Sequence, residues 1–306
     1  MNYSKFIRDH LHYYQSFNKL HKIIEKFIDD GIYEYNYIQN YKKETVVMMS
    51  IIDNDMVCLQ KILKHKPKLD LQDKEGRTAL MFTIKYNNMN MFQELLIQIP
   101  KPKLDVQDKY GLTALIYTIT NNNMDMFQEL LIQIPKPKLD LQDEDGKTAL
   151  MFTIKYNNMN MFQELLKHKP NLDLQDKAGL TALMYTIDNN NIDMFEELLS
   201  LREYPNLDLQ DEKGRTALMY TIKNDRLDIF KKLLREYPKL DVQDKDGTTA
   251  LMYTILTDNM DMFQELLKKG PKQYLYLRNN KGESSLDIAK KLGITDMVEK
   301  LEELLI

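Results

Sequence analysis

Along most of this chain the apolar positions come as two short helical runs separated by a polar break, and the pair of runs recurs. Between Asp73 and Gln107, the residues Leu80, Thr83 and Ile84 are spaced to share one helix face, and Met91, Phe92, Leu95 and Leu96 mark a second buried stripe. Thr78 stands just ahead of the first run, where a hydroxyl can serve the free amides of a helix start. The break is Asn87-Asn88, and asparagine is the non-glycine residue that best tolerates the left-handed backbone of a helix end. Asn122, Asn157, Asn190, Asp225 and Asp258 hold the same place further along. Pro100 and Pro102 stop the second helix, and residues 104–107 run extended into the next turn. In Asp73-Lys74-Glu75-Gly76 the aspartate can accept turn amides and the glycine can take a positive φ. One repeat is therefore a turn, two antiparallel helices and a return loop.

The turn carries the most regular signal. The string D-x-x-G-x-T-A-L begins at Asp73, Asp108, Asp143, Asp176, Asp211 and Asp244, and a weakened seventh copy begins at Asn279. From Gly76 through Gly111, Gly146, Gly179, Gly214 and Gly247 to Gly282 the intervals are 35, 35, 33, 35, 33 and 35 residues. A fixed period in this range predicts an all-α solenoid, one helix-turn-helix element stacked on copies of itself with short β-turn fingers. The variation lies in the return loop, where the stretch from Leu96 to Asp105 is longer than that from Leu166 to Asp173. Two extra residues in a surface loop cost well under ~1 kcal/mol of closure entropy.

The repeat resembles an ankyrin repeat, whose signature D-x-x-G-x-T-P-L-H is met here by D-x-x-G-x-T-A-L followed by methionine or isoleucine. The resemblance covers nearly the whole chain. In the place of the family's proline stand Ala79, Ala114, Ala149, Ala182, Ala217 and Ala250, which keep the helix start without a pre-set φ. Met81, Ile116, Met151, Met184, Met219 and Met252 replace its histidine, which exchanges a hydrogen bond along the stack for apolar packing. The usual small pair becomes Thr-Ile, as in Thr83-Ile84, and should shift the helix spacing slightly.

Terminal repeats of a stack are atypical. Residues 1–39, with helices expected at Ser4–Phe17 and His21–Gly31, read as a helical N-terminal cap. Residues 40–278 read as an array of about seven repeats, the first of them degraded, with Lys43 in the place of the turn glycine. Residues 279–306 read as a C-terminal capping repeat whose outer side carries Glu299, Lys300, Glu302 and Glu303.

Composition narrows function by exclusion. Forty-two basic against 46 acidic residues give a net charge of −4, so no bias toward nucleic acid is expected. Cys58 is the single cysteine, which excludes an intrachain disulfide and fits a reducing, intracellular compartment, cytoplasmic or nuclear. Met1 to Leu20 lacks the apolar core of a signal peptide, and no stretch approaches the roughly 18 apolar residues of a membrane span, so no membrane partner is expected. The paired aspartates, Asp70 with Asp73 and Asp105 with Asp108, supply too few oxygens for calcium and are read as caps of turn amides. His10, His12, His21, His65 and His168 are scattered without catalytic or zinc spacing. The 19 methionines recur at equivalent helix positions and are read as core. Lys101-Pro102-Lys103 and Lys136-Pro137-Lys138 are read as a solvated loop edge, with aspartates two residues on. No catalytic residue, metal or cofactor is expected, because a translated repeat supplies the same residues along an axis rather than different ones at a point.

The resemblance implies a non-catalytic scaffold or adaptor that binds another protein through its turn tips and the groove of its first helices, most simply as a monomer. Carried onto this chain, that surface comprises Lys74, Glu75, Arg77, Lys85 and Tyr86, then Lys109, Tyr110, Leu112 and Asn121. It continues with Lys147 and Tyr156, then Leu180, then Arg215. Solvent alone gives no reason for Tyr86, Tyr110, Leu112, Tyr156 and Leu180 at these positions, and a contiguous patch is expected over the second to fifth clear repeats. Tyrosine combines large contact area with a polar tip and is enriched at binding hot spots. The alternative is an effector in which residues 1–39 carry a separate activity or targeting role and the repeats deliver it. Richness in Asn, Lys, Ile and Tyr resembles the ankyrin proteins of large DNA viruses and intracellular bacteria.

Overall fold

The computed structural model describes residues 40–270 and 272–305, so the cap expected over residues 1–39 lies outside the described residues. The chain divides into two compact units, residues 1–144 and 145–306. The described residues form sixteen α-helices in successive pairs, with one 3-10 turn and no named strand among them.

The described residues of the first unit form three pairs: α1 (Val46–Ile52) with α2 (Met56–Leu63), α3 (Ala79–Lys85) with α4 (Met89–Leu96), and α5 (Ala114–Thr120) with α6 (Met124–Leu131). Each first helix starts on a threonine in extended backbone whose hydroxyl accepts the amide three residues on, as Met81 N does at Thr78 Oγ1, 3.5 Å. Met81 answers through its thioether, which accepts from Thr78 N at 3.5 Å. The methionine in the family's histidine place thus keeps a weak acceptor at the cap as well as its apolar bulk. Lys43 takes φ 58°, as expected for a residue standing in for the turn glycine. Asn54, Asn87 and Asn122 end the first-helix segments in the left-handed region, at φ 53°, 53° and 52°. The next asparagine caps the second helix: Met91 N donates to Asn88 Oδ1 at 3.0 Å.

Seven-residue helices are marginal alone. What holds them is burial: every residue of α3 from Ala79 to Ile84 is buried. Helices α1, α3 and α5 pack one on the next, and each packs against its own second helix. The buried Thr83 hydroxyl donates to Leu80 O at 2.7 Å, so the polar half of the Thr-Ile pair is satisfied within its own helix. On the second helices Met91, Phe92, Leu95 and Leu96 face inward, with Phe92 and Phe127 fully buried. Truncating such a phenylalanine to alanine costs about 3–5 kcal/mol.

The second unit repeats the plan five times: α7 (Ala149–Lys155) with α8 (Met159–Lys167), α9 (Ala182–Asp188) with α10 (Ile192–Ser200), α11 (Ala217–Lys223) with α12 (Leu227–Arg235), α13 (Ala250–Leu256) with α14 (Met260–Lys269), and α15 (Ser285–Leu292) with α16 (Thr295–Leu305). Phe162, Phe195, Phe230 and Phe263 form its row of fully buried rings. Asn157, Asn190, Asp225 and Asp258 again take positive φ, between 51° and 53°. The 3-10 turn Lys272–Tyr276 precedes the last repeat, and the Tyr274 hydroxyl donates to Leu266 O at 3.0 Å.

Candidate functional site: the turn fingers and first-helix ends

Each finger is closed by its own aspartate. Asp73 Oδ1 accepts the amides of Glu75 and Arg77 at 2.9 and 2.8 Å, and Gly76 N donates to Asp73 O at 3.1 Å. The finger is then joined to its neighbour through backbone, Lys109 N to Glu75 O at 2.9 Å in the first unit and Lys177 N to Asp145 O at 2.8 Å in the second. A glutamine adds a second joint. Gln72 Nε2 donates to Gly76 O in its own finger at 2.6 Å and to Gln107 O in the following repeat at 2.9 Å. Gln107 does the same toward Gly111 and Gln142, and Gln175, Gln210 and Gln243 do so in the second unit. The upstream aspartate of the L-D-[LV]-Q-D string reaches across as well at Asp70, Asp105, Asp173 and Asp208, with Asp70 Oδ1 accepting Lys103 N at 2.7 Å and Asp173 Oδ1 accepting Asn206 N at 2.7 Å. The aspartate ladder is thus a capping device whose first member serves the next repeat. Among the described residues no group of three or more His, Cys, Asp and Glu side chains is placed to hold a metal ion.

On these pinned backbones the expected binding residues divide into accessible ones and ones built into the finger. In the first unit Tyr86, at the end of α3, is 45% exposed and stacks on Phe82 with ring centroids 6.2 Å apart, while Lys85 Nζ lies 5.9 Å from its ring. Tyr86 also borders a depression of about 360 Å³ shared with Ile51, Asn54 and Asn87. Tyr110, on the fingertip, is 53% exposed, with Lys109 Nζ 4.8 Å from its ring. Lys109 also pairs with Glu75, whose carboxylate holds the ammonium above its ordinary pKa. Lys74, Lys85 and Asn121 are exposed. In the second unit Tyr156 is 49% exposed, stacked on Phe152 at 6.3 Å with Lys155 Nζ 5.8 Å from its ring. Lys147 pairs with Asp145 at 2.8 Å and holds that carboxylate below its usual range.

Arg215 does not fit a partner face. It is 9% exposed, and its guanidinium donates to Asp211 Oδ2 at 2.9 and 2.6 Å and to the Tyr220 hydroxyl at 2.7 Å. Burial pushes the Asp211 carboxyl up, but hydrogen bonds from Arg215 and Tyr220 outweigh it and hold the group below the ordinary carboxylate range. Arg77 is committed in the same way, with bonds of 2.9 and 2.6 Å to Asp73 Oδ2 and its guanidinium carbon 4.7 Å from the Phe82 ring centre. Leu112 and Leu180 occupy the corresponding position of their repeats and are half-buried rather than free.

A rule missed in the sequence explains them. Where that position is Leu112, Leu180 or Thr248, the helix supplies Tyr117, Tyr185 or Tyr253, whose hydroxyl donates to the finger aspartate Oδ2 at 2.8, 2.8 and 2.7 Å. Where it is Arg77, the helix position is Phe82, and the arginine does the work alone. Burial and the facing carboxylate raise the Tyr117 and Tyr253 phenols well above their ordinary pKa, which keeps them proton donors. At Asp211 both devices are present, Arg215 and the Tyr220 hydroxyl each donating to Oδ2.

Comparisons with known proteins follow the geometry. No curated protein sequence matches the chain. The structure is similar to the crystal structure of the ankyrin repeat domain of Bcl-3, described as a unique member of the IkappaB protein family, with a TM-score of 0.63 and 20% identity, over 74% of this chain and 99% of that one. At that identity the likeness concerns the fold. The family described as ankyrin repeats (3 copies) matches over residues 47–140, 87–176, 115–206, 151–246 and 218–303. Those overlapping spans take in both described units, and the chain belongs to the ankyrin-repeat family.

Proposed function

We propose that this chain is a non-catalytic scaffold that binds a partner protein through its fingertips and the ends of its first helices. Ankyrin repeats are in general protein–protein interaction modules. The observation that carries the reading is the set of tyrosines, Tyr86, Tyr110 and Tyr156, each about half exposed and each set beside a lysine on rigid backbone. Rigid aromatic side chains lose little entropy on binding and supply the large contact areas of hot spots. Lys74, Glu75, Lys85, Lys109 and Asn121 in the first unit and Lys147 in the second add adjustable polar contacts; Arg77, Leu112, Leu180 and Arg215 serve by shaping the fingers. The single, buried thiol of Cys58 suits a reducing compartment, where this reading puts the protein, acting as a monomer.

The test is capture of binding proteins from the native cell with the full chain, followed by the same capture with Tyr110→Ala and Tyr156→Ala together. The variant should lose the captured partner by tenfold or more, since two hot-spot truncations remove at least about 2 kcal/mol, while circular dichroism remains helical. Undiminished capture would reject the assignment.

A further inference from the structure

Away from the fingers, the return loops of the first unit carry an apolar and cationic edge that the finger surface does not use. The heptapeptide Ile-Gln-Ile-Pro-Lys-Pro-Lys occurs twice, at residues 97–103 and 132–138, in adjacent repeats. Its isoleucines project: Ile99 and Ile134 are 81% and 80% exposed, Ile97 and Ile132 69% and 68%. Core isoleucines of the same unit, Ile84 and Ile119, are buried to within 1%. The two loops lie side by side, since Lys101 Nζ donates to Gln133 Oε1 at 3.2 Å. Lys101, Lys103, Lys136 and Lys138 are all exposed. The preceding return loop adds exposed Lys64, Lys66 and Lys68 in line with them. Against these stand Asp70 and Asp105, whose Oδ1 atoms are occupied by the amides of Lys103 and Lys138 at 2.7 and 2.8 Å, and Asp140.

We infer that this edge docks the protein on an anionic lipid surface, the isoleucine tips entering the headgroup boundary and the lysines meeting the lipid charge. Three features select that occupant. Isoleucine tips exposed to four-fifths are knobs, and a soft interface receives knobs without needing matched sockets. The seven lysines beside them outnumber the three aspartates, an excess complementary to acidic headgroups, and lysine stems lengthen the apolar contact while the ammonium stays at the interface. Finally, the two residues by which these return loops exceed the shorter one at 167–173 (Lys-His-Lys-Pro-Asn-Leu-Asp) bring isoleucine, whereas the shorter loop carries no isoleucine. The interaction is peripheral: no helix among the described residues is long and apolar enough to cross a membrane.

The experiment is flotation of the full chain with vesicles of phosphatidylcholine alone and of phosphatidylcholine containing phosphatidylserine, at physiological salt. Binding to the anionic vesicles and not to the neutral ones is expected. Ile99→Ser with Ile134→Ser should reduce it by about tenfold or more, and Lys101→Gln, Lys103→Gln, Lys136→Gln and Lys138→Gln together should abolish it. All of these positions are loop residues, so melting should be unchanged, and the Tyr110→Ala/Tyr156→Ala protein should float as the parent does. Failure of the parent chain to bind anionic vesicles would overturn the inference, as would isoleucine and lysine variants that bind like the parent. Capture of a protein that is lost with the isoleucine variant, without any vesicle binding by the parent, would reassign the edge to protein docking and also overturn it.

Discussion

Gly111 and Gly282 share a backbone conformation, φ 78° and 75°, but not surroundings. A Cβ on Gly111 would sit 2.7 Å from Asp143 Cα, inside the next finger, while one on Gly282 would meet nothing within 4 Å. Gly282→Ala should therefore cost only the left-handed strain, about 1 kcal/mol, and Gly111→Ala clearly more, about 3 kcal/mol; equal losses in urea denaturation would show that the close approach of fingers is unimportant. Arg226 offers the reverse case. It holds the place where Asn88, Asn123, Asn158, Asn191 and Asn259 cap their helices, makes no side-chain cap, and buries its Nε without a hydrogen-bond partner. Arg226→Asn should raise stability by about 1 kcal/mol, read as a higher melting temperature. Asp211 sets a pH dependence. Its folded pKa is depressed, so its contribution is complete above the unfolded value of about 3.9 and is lost as pH falls below that toward the folded value. Asp211→Asn should be less stable at neutral pH by about 1–3 kcal/mol and should show a shallower fall in stability below about pH 4.

The helix pair was nearly complete in the sequence, because each of its determinants is local. Thr78 as cap, Asn87 as the left-handed stop and the Met91/Phe92/Leu95/Leu96 stripe act within a few residues of themselves, and all three stand where the spacing put them. The joints between repeats were not legible in the same way. Gln72 is conspicuous only as a recurring polar residue, and nothing nearby tells that its amide reaches the carbonyl of Gln107. Arg215 was misread for a related reason: a charged residue beside a turn glycine looks exposed until Asp211 and Tyr220 are seen to enclose it. At the level of the element, Gln107→Ala should loosen a finger joint on both sides, removing bonds to Gly111 O and Gln142 O of 2.8 Å each. A loss of about 1–2 kcal/mol is expected, with faster amide exchange concentrated at Gly111 and its neighbours. Unaltered exchange there would mean that the backbone bond Glu144 N to Tyr110 O suffices.

For the molecule as a whole, stability in a repeat protein is a sum over repeats and their interfaces. Excising residues 73–107 joins Gln72 to Asp108 and restores the same L-D-L-Q-D string, so the shortened chain should fold with helical content reduced in proportion. Excising half that length should not give a cooperatively melting protein. The fingertip joints have a wider consequence. Lys74 to Lys42, Lys109 to Glu75 and Glu144 to Tyr110 are bonds from amide to carbonyl, and none of them consults the side chain that the tip presents. Residues 74, 75, 109 and 110 are thus free to drift, or to be randomised in a library, while the scaffold beneath them stays as it is. A lineage that duplicates its repeats acquires with each copy a fresh stretch of recognition surface that selection can rewrite without first repairing the fold.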